Sequence, residues 1–107
     1  MERQLHIMVS TVPTMLDAEK IARLLVEESV AVCAQVSAGC RSWYRGEGAV
    51  VEGPEVLMRL KVRRDRLEAC RGRLQALHPY ETPMILDWPA AWVEPGYLAW
   101  AYGQGGA

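Results

Sequence analysis

A chain of 107 residues is enough for one domain, 1–107, and at this size roughly 65% of the unfolded chain's surface can be buried, so one core forms without staples. The formal net charge of -1 removes any bulk electrostatic case for nucleic acid or an anionic membrane, and no apolar run approaches the ~20 residues that span a bilayer. The 3 cysteines, an odd number, argue against a disulfide framework, and a short apolar run near the start is no signal peptide, so a reducing cytoplasm is expected.

The first element is LHIMVST at 5–11, a β-leaning stretch in which Leu5, Ile7 and Val9 alternate with His6, Met8 and Ser10. A turn around Pro13 follows, and Thr14 with Asp17 makes a capping box in which Asp replaces the usual Glu. Ala18, Ile21, Ala22 and Leu25 then recur at helical spacing, which predicts a helix to about Ser29. From Val30 a strand is expected, continuing past Gly39 through RSWYR to a hairpin turn at GEG, 46–48. The return strand sets Val56, Met58, Leu60 and Val62 against Leu57, Arg59, Lys61 and Arg63, and Pro54 marks its early part as an edge or a bulge.

A second helix is expected from about Asp65, with Leu67, Cys70, Leu74 and Leu77 as its apolar stripe. It must stop before Pro79, because proline disfavours helical geometry in the preceding residue, His78. TPMILDW then reads as a short strand, Glu94 to Tyr102 as a short helix, and GQGGA as a fraying tail. The order β-α-β-β-α-β plus a terminal helix is that of an α+β, ferredoxin-like split βαβ sandwich with a C-terminal helix. Both long helices are expected on one sheet face, carrying Ile7, Val9, Val32, Val36, Met58 and Leu60. The other face, with His6, Met8, Ser10, Cys33, Gln35 and Lys61, has no third layer to cover it. That open face and the long, overhanging hairpin predict self-association.

STVP at 10–13, LLVEE with VAVCAQV, SWYRGEG at 42–48, ALHPYETP at 76–83 and YLAW at 97–100 together resemble the CutA divalent-cation tolerance family, from about Leu5 to Trp100. The resemblance implies a ferredoxin-like protomer in a tight homotrimer whose strands join across the hairpins, and a non-enzymatic role in tolerance to copper and other divalent metals. It also implies a likeness to PII-type signalling proteins, which bind small effectors in clefts between protomers. Some members carry Cys where this chain has Ser10 and a second His where it has Leu77, a set that suits copper.

Each candidate residue has two readings. His78 is either a helix-terminal imidazole facing the helix dipole or a ligand for copper or another divalent cation. Cys33 is either a small packed residue or, beside Lys61, a thiol activated for metal or redox chemistry. Met8 and Ser10 complete a His, Cys, Met and Ser metal set, or fill a trimer interior. Lys61, Tyr44 and Tyr80 are the ligand-cleft candidates, with a small anion expected beside Lys61. Cys70 belongs to the core, and Cys40 lies at a bend. Arg63, Arg64, Arg66, Arg71 and Arg73 read as a solvated helix face rather than a nucleic-acid surface. No CxxC, HxxH, HExxH, phosphate loop or nucleophile–base pairing occurs, so neither a preformed zinc site nor an enzyme is expected.

Overall fold

In a computed structural model residues 3–103 are described, so most of the GQGGA tail lies outside the described residues. The elements run β1 (Leu5–Val12), α1 (Met15–Glu27), β2 (Cys33–Gly46), β3 (Ala49–Arg63), α2 (Leu67–Leu77), β4 (Ile85–Pro89) and α3 (Pro95–Tyr102), with a single 3-10 turn at Arg64–Arg66 before α2. The strands form one 4-stranded sheet in the order β2-β3-β1-β4, with every pairing antiparallel. This is the ferredoxin-like split βαβ arrangement.

Local chemistry sets the element ends. The Thr14 hydroxyl accepts from the Asp17 N–H at 3.1 Å and donates to the Asp17 carboxylate at 2.8 Å, which starts α1. Thr14→Ala is expected to cost about 1 kcal/mol in chemical denaturation. An unchanged midpoint would show that packing alone holds the first turn. At the hairpin, Glu47 and Gly48 have φ of 45° and 83°, the left-handed pair that a two-residue turn between twisted strands requires. Gly39, φ 83°, sits where the β2–β3 register shifts between Ser37 and Cys40.

The core lies between α1, α2 and one sheet face. Ala18, Ile21 and Leu25 of α1 and Leu67, Cys70 and Leu74 of α2 are buried there against Val56, Met58, Leu60 and Val62 of β3. The expectation for β1 is inverted. In the pairing with β3, His6 faces Val62, Met8 faces Leu60 and Ser10 faces Met58, so His6, Met8 and Ser10 lie under the helices. Ile7 stands opposite Lys61, and Lys61 opposite Cys33, on the other face. The apolar sum of Ile7 and Val9 favoured the wrong set because polar His6 and Ser10 find buried partners on the helix side, described below.

The other face is also less bare than expected. Tyr102 of α3 is tied to Gln4, accepting from its N–H at 2.8 Å and donating to its carbonyl at 2.7 Å, and the Arg63 guanidinium lies 4.7 Å from the Tyr102 ring centre. Leu5 is 2% exposed and shares a hollow with Trp92, Val93 and Tyr97, so α3 and its lead-in stand over one end of this face. Leu86 and Trp88 of β4 remain exposed. The β2–β3 ribbon runs on beyond β1, which ends opposite Val56, so residues 49–55 of β3 are unpaired on one side and Pro54 costs no ladder bond there.

The arginine-rich stretch is engaged rather than simply solvated. Arg63 pairs with Asp65, Arg71 with Glu68 and Asp87, and Arg73 with Glu28, while Arg66 donates to the Ser29 carbonyl and Arg64 to Gln4.

Candidate functional site

HPYETP, residues 78–83, joins α2 to β4, and His78 organises it. The Tyr80 N–H donates to His78 Nδ1 at 3.1 Å. On the other side of the ring, Nε2 lies 3.0 Å from the Thr11 carbonyl and 3.0 Å from Ser10 Oγ. A carbonyl only accepts, so Nε2 carries the proton and Nδ1 holds the lone pair that Tyr80 uses. The Ser10 hydroxyl in turn donates to the Met84 carbonyl at 2.7 Å, which ties the start of β4 to β1. Burial lowers the His78 pKa, partly offset by the Thr11 carbonyl and the Glu55 charge, and the ring is held neutral. Both ring nitrogens are therefore engaged within the fold.

The four metal candidates do not converge within the chain. Ser10 and His78 are hydrogen-bonded, but Met8 is fully buried with its sulfur 4.0 Å from the Cys70 thiol. Cys33 is on the opposite sheet face, beside Lys61 and Tyr97. Burial raises the Cys70 thiol to about 11, which makes it an inert core group. Among the described residues no three His, Cys, Asp or Glu side chains cluster as a metal centre.

The cleft candidates divide as well. Tyr44 and Tyr80 line one cleft of about 500 Å³ with Thr11, Ser42, Trp43 and Glu55. Lys61 lines a separate hollow of about 250 Å³ under Trp92 and Tyr97, and its ammonium donates to Gln35. Glu55 is the cleft residue that sequence reasoning missed; its one signal is the position beside Pro54, which places it where the ribbon leaves the sheet. The Tyr80 hydroxyl donates to the Glu55 carboxylate at 2.7 Å, and the Ser42 and Thr11 hydroxyls stand beside it in the cleft. Burial raises the Glu55 pKa, but the surrounding hydroxyls of Ser42, Tyr80 and Thr11 outweigh it, so the pKa lies below its usual range and the carboxyl stays ionised. Burial and the Glu55 hydrogen bond push the Tyr80 phenol up to about 12, which keeps it a donor. HPYETP is thus a joint that also builds a wall: His78 pins it to β1, and Tyr80 reaches across to β3.

A second cluster escaped sequence reasoning altogether. Asp87 of β4 points toward the helices, where Arg71 of α2 donates to both its oxygens, at 2.8 and 2.9 Å, and His6 Nδ1 lies 3.2 Å away. No local pattern marks these residues, because they come from three separate elements.

The fold and site together are those of a small α+β split-βαβ protein with a projecting hairpin, an inter-element tyrosine cleft and a histidine-pinned joint. The family model described as CutA1 divalent ion tolerance protein matches residues 6–104. The divalent-cation tolerance protein CutA of Thermus thermophilus is 38% identical over 95 residues, 89% of this chain and 92% of the relative. The solved Thermus thermophilus structure superposes with a TM-score of 0.85, covering 90% of this chain and 93% of that one at 38% identity. The CutA1 structure from Ehrlichia chaffeensis gives a TM-score of 0.91 at 25% identity, with 96% of each chain covered. CutA from Archaeoglobus fulgidus, described as a periplasmic divalent cation tolerance protein, gives 0.88 at 27% identity, covering 92% of this chain and 96% of that one. The chain belongs to the CutA1 divalent ion tolerance family.

Proposed function

We propose that this protein is a non-enzymatic, homotrimeric divalent-cation tolerance protein of the cytoplasm that takes up copper or a similar ion. The observation that carries this reading is the family match over residues 6–104. Three features support assembly: residues 49–55 of β3 lack a partner on one side, Trp43 and Val50 of the ribbon are 62% and 64% exposed, and Leu86 and Trp88 form an apolar patch on the open face. Among the described residues no helix is long and apolar enough to cross a membrane.

The donor geometry also bears on how copper would be held. Cys33 is half-buried on the open face, whereas Met8 is sealed in the core and both nitrogens of His78 are occupied. A multi-donor site would then draw Cys33 from more than one copy, the sulfur being a soft donor suited to copper. Copper calorimetry on the assembled protein is expected to show stoichiometric uptake that is lost in Cys33→Ser and retained in His78→Ala. No uptake above buffer controls would defeat the copper reading; loss in His78→Ala alone would move the site to the joint. Light scattering or native mass spectrometry tests the trimer directly.

A second reading, a small-molecule sensor or adaptor, is favoured by the 500 Å³ cleft between Tyr44 and Tyr80. That volume falls within the roughly 300–1,000 Å³ of small-molecule sites.

A further inference from the structure

The cleft holds an ionised carboxylate without a compensating cation. Glu55 is half-buried; Tyr80, which donates to it, and Ser42 and Thr11, which line the cleft beside it, are all neutral. Among the described residues no arginine or lysine pairs with it. The His78 ring, whose charged form would attract it, is kept neutral by burial. Around this charge stand the rings of Trp43, Tyr44 and Tyr80, and Tyr44 is mostly exposed and so faces a ligand or a second copy. An aromatic ring presents its negative face to a cation, and a partly desolvated carboxylate strengthens the same preference.

We propose that this cleft binds a cationic organic nitrogen, an alkylammonium or guanidinium group, with Glu55 as its counter-ion and Tyr44 and Tyr80 as its walls. This deepens the sensor reading, on which it rests, and reverses the sign of ligand anticipated beside Lys61, which lies in a different hollow. A bare divalent ion fits less well. One carboxylate among neutral hydroxyls falls short of the six to eight oxygens that a hard cation such as calcium takes, and the cleft offers no thiolate or free imidazole to a soft one. The nitrogen could belong to a free small molecule or to an arginine or lysine of a second copy of this chain.

The test is an NMR or calorimetric titration of the full-length assembled protein with tetramethylammonium, putrescine and agmatine. It is run beside Glu55→Gln, which preserves shape and hydrogen-bond acceptance, so folding is checked by its melt. Oligomeric state is followed by light scattering in the same buffers. Saturable binding that weakens at least about tenfold in Glu55→Gln and fades with salt supports a free organic cation. Weaker assembly in Glu55→Gln, together with dissociation of the wild type by the same amines, supports the second copy as the source. If no amine binds and Glu55→Gln assembles as the wild type does, the proposal is overturned. If neutral or anionic compounds enter the cleft while amines do not, the cation chemistry fails and the sensor reading survives.

Discussion

His78→Ala is expected to lower the unfolding free energy by about 2–4 kcal/mol, read as a shift in the urea midpoint at unchanged slope. The ring is 8% exposed, and its removal leaves the Thr11 carbonyl, the Tyr80 N–H and the Ser10 hydroxyl each short of a partner, as well as opening a cavity. The same network predicts a pH response. Burial sets the folded-state pKa of His78 below its ordinary 6.5, so the unfolded chain takes up the proton first as the solution is acidified. The neutral ring's contribution is complete above about pH 6.5 and erodes as the pH falls from there toward the folded-state value. The wild-type melting temperature should therefore drop between pH 7.5 and 5.5 more steeply than that of His78→Ala. Parallel profiles, or a loss below about 1 kcal/mol, would show that water replaces the ring at no cost and that other contacts hold the joint.

Asp87→Ala is expected to cost about 2–3 kcal/mol, because it strips the partner from His6 and from Arg71 at once. The Asp87 and His6 side chains are 10% and 8% exposed, but Arg71 is 43% exposed and can turn to water. The cost therefore sits below the ~3–5 kcal/mol that follows breaking a fully buried pair. Asp87→Asn, which keeps the size and loses the charge, should fall between the wild type and the alanine variant. The Arg71 hydrogen bonds, opposed by burial and helped by His6, hold the Asp87 carboxyl below its ordinary 3.8. Its charge-linked stability is thus present above about pH 3.8 and is lost as the pH falls through the lower folded-state value. A double-mutant cycle of Asp87→Ala with Arg71→Ala measures the coupling. Strict additivity would mean that the two ends of the bridge act independently.

Much of the fold is written in local patterns. The helical spacing of Ala18, Ile21 and Leu25, the Thr14 cap, the glycine-bearing turn before Ala49 and the alternation from Val56 to Val62 each rest on neighbours in the chain. Each of these elements stands where its pattern places it. The site was less legible. Tyr44 and Tyr80 line one cleft, and Ser10 does touch His78, but Lys61 and Cys33 lie on the far side of the sheet and Glu55 stands in the cleft instead. Alternation divides a strand into two sets without saying which set faces the core. The choice between Ile7 with Val9 and His6 with Ser10 was settled by partners 68 and 81 positions away, His78 for Ser10 and Asp87 for His6.

The sequence alone determined the element order, the split βαβ topology and the CutA1 resemblance, because helical period, strand alternation and turn chemistry are short-range and each leaves its mark within a few residues. Tertiary structure alone decided the face that β1 presents to the helices, the engagement of both His78 nitrogens and the pairing of Glu55 with the tyrosine cleft. These depend on strand register and on hydrogen bonds between distant elements, where burying a polar side chain is favourable only once a specific partner arrives to satisfy it.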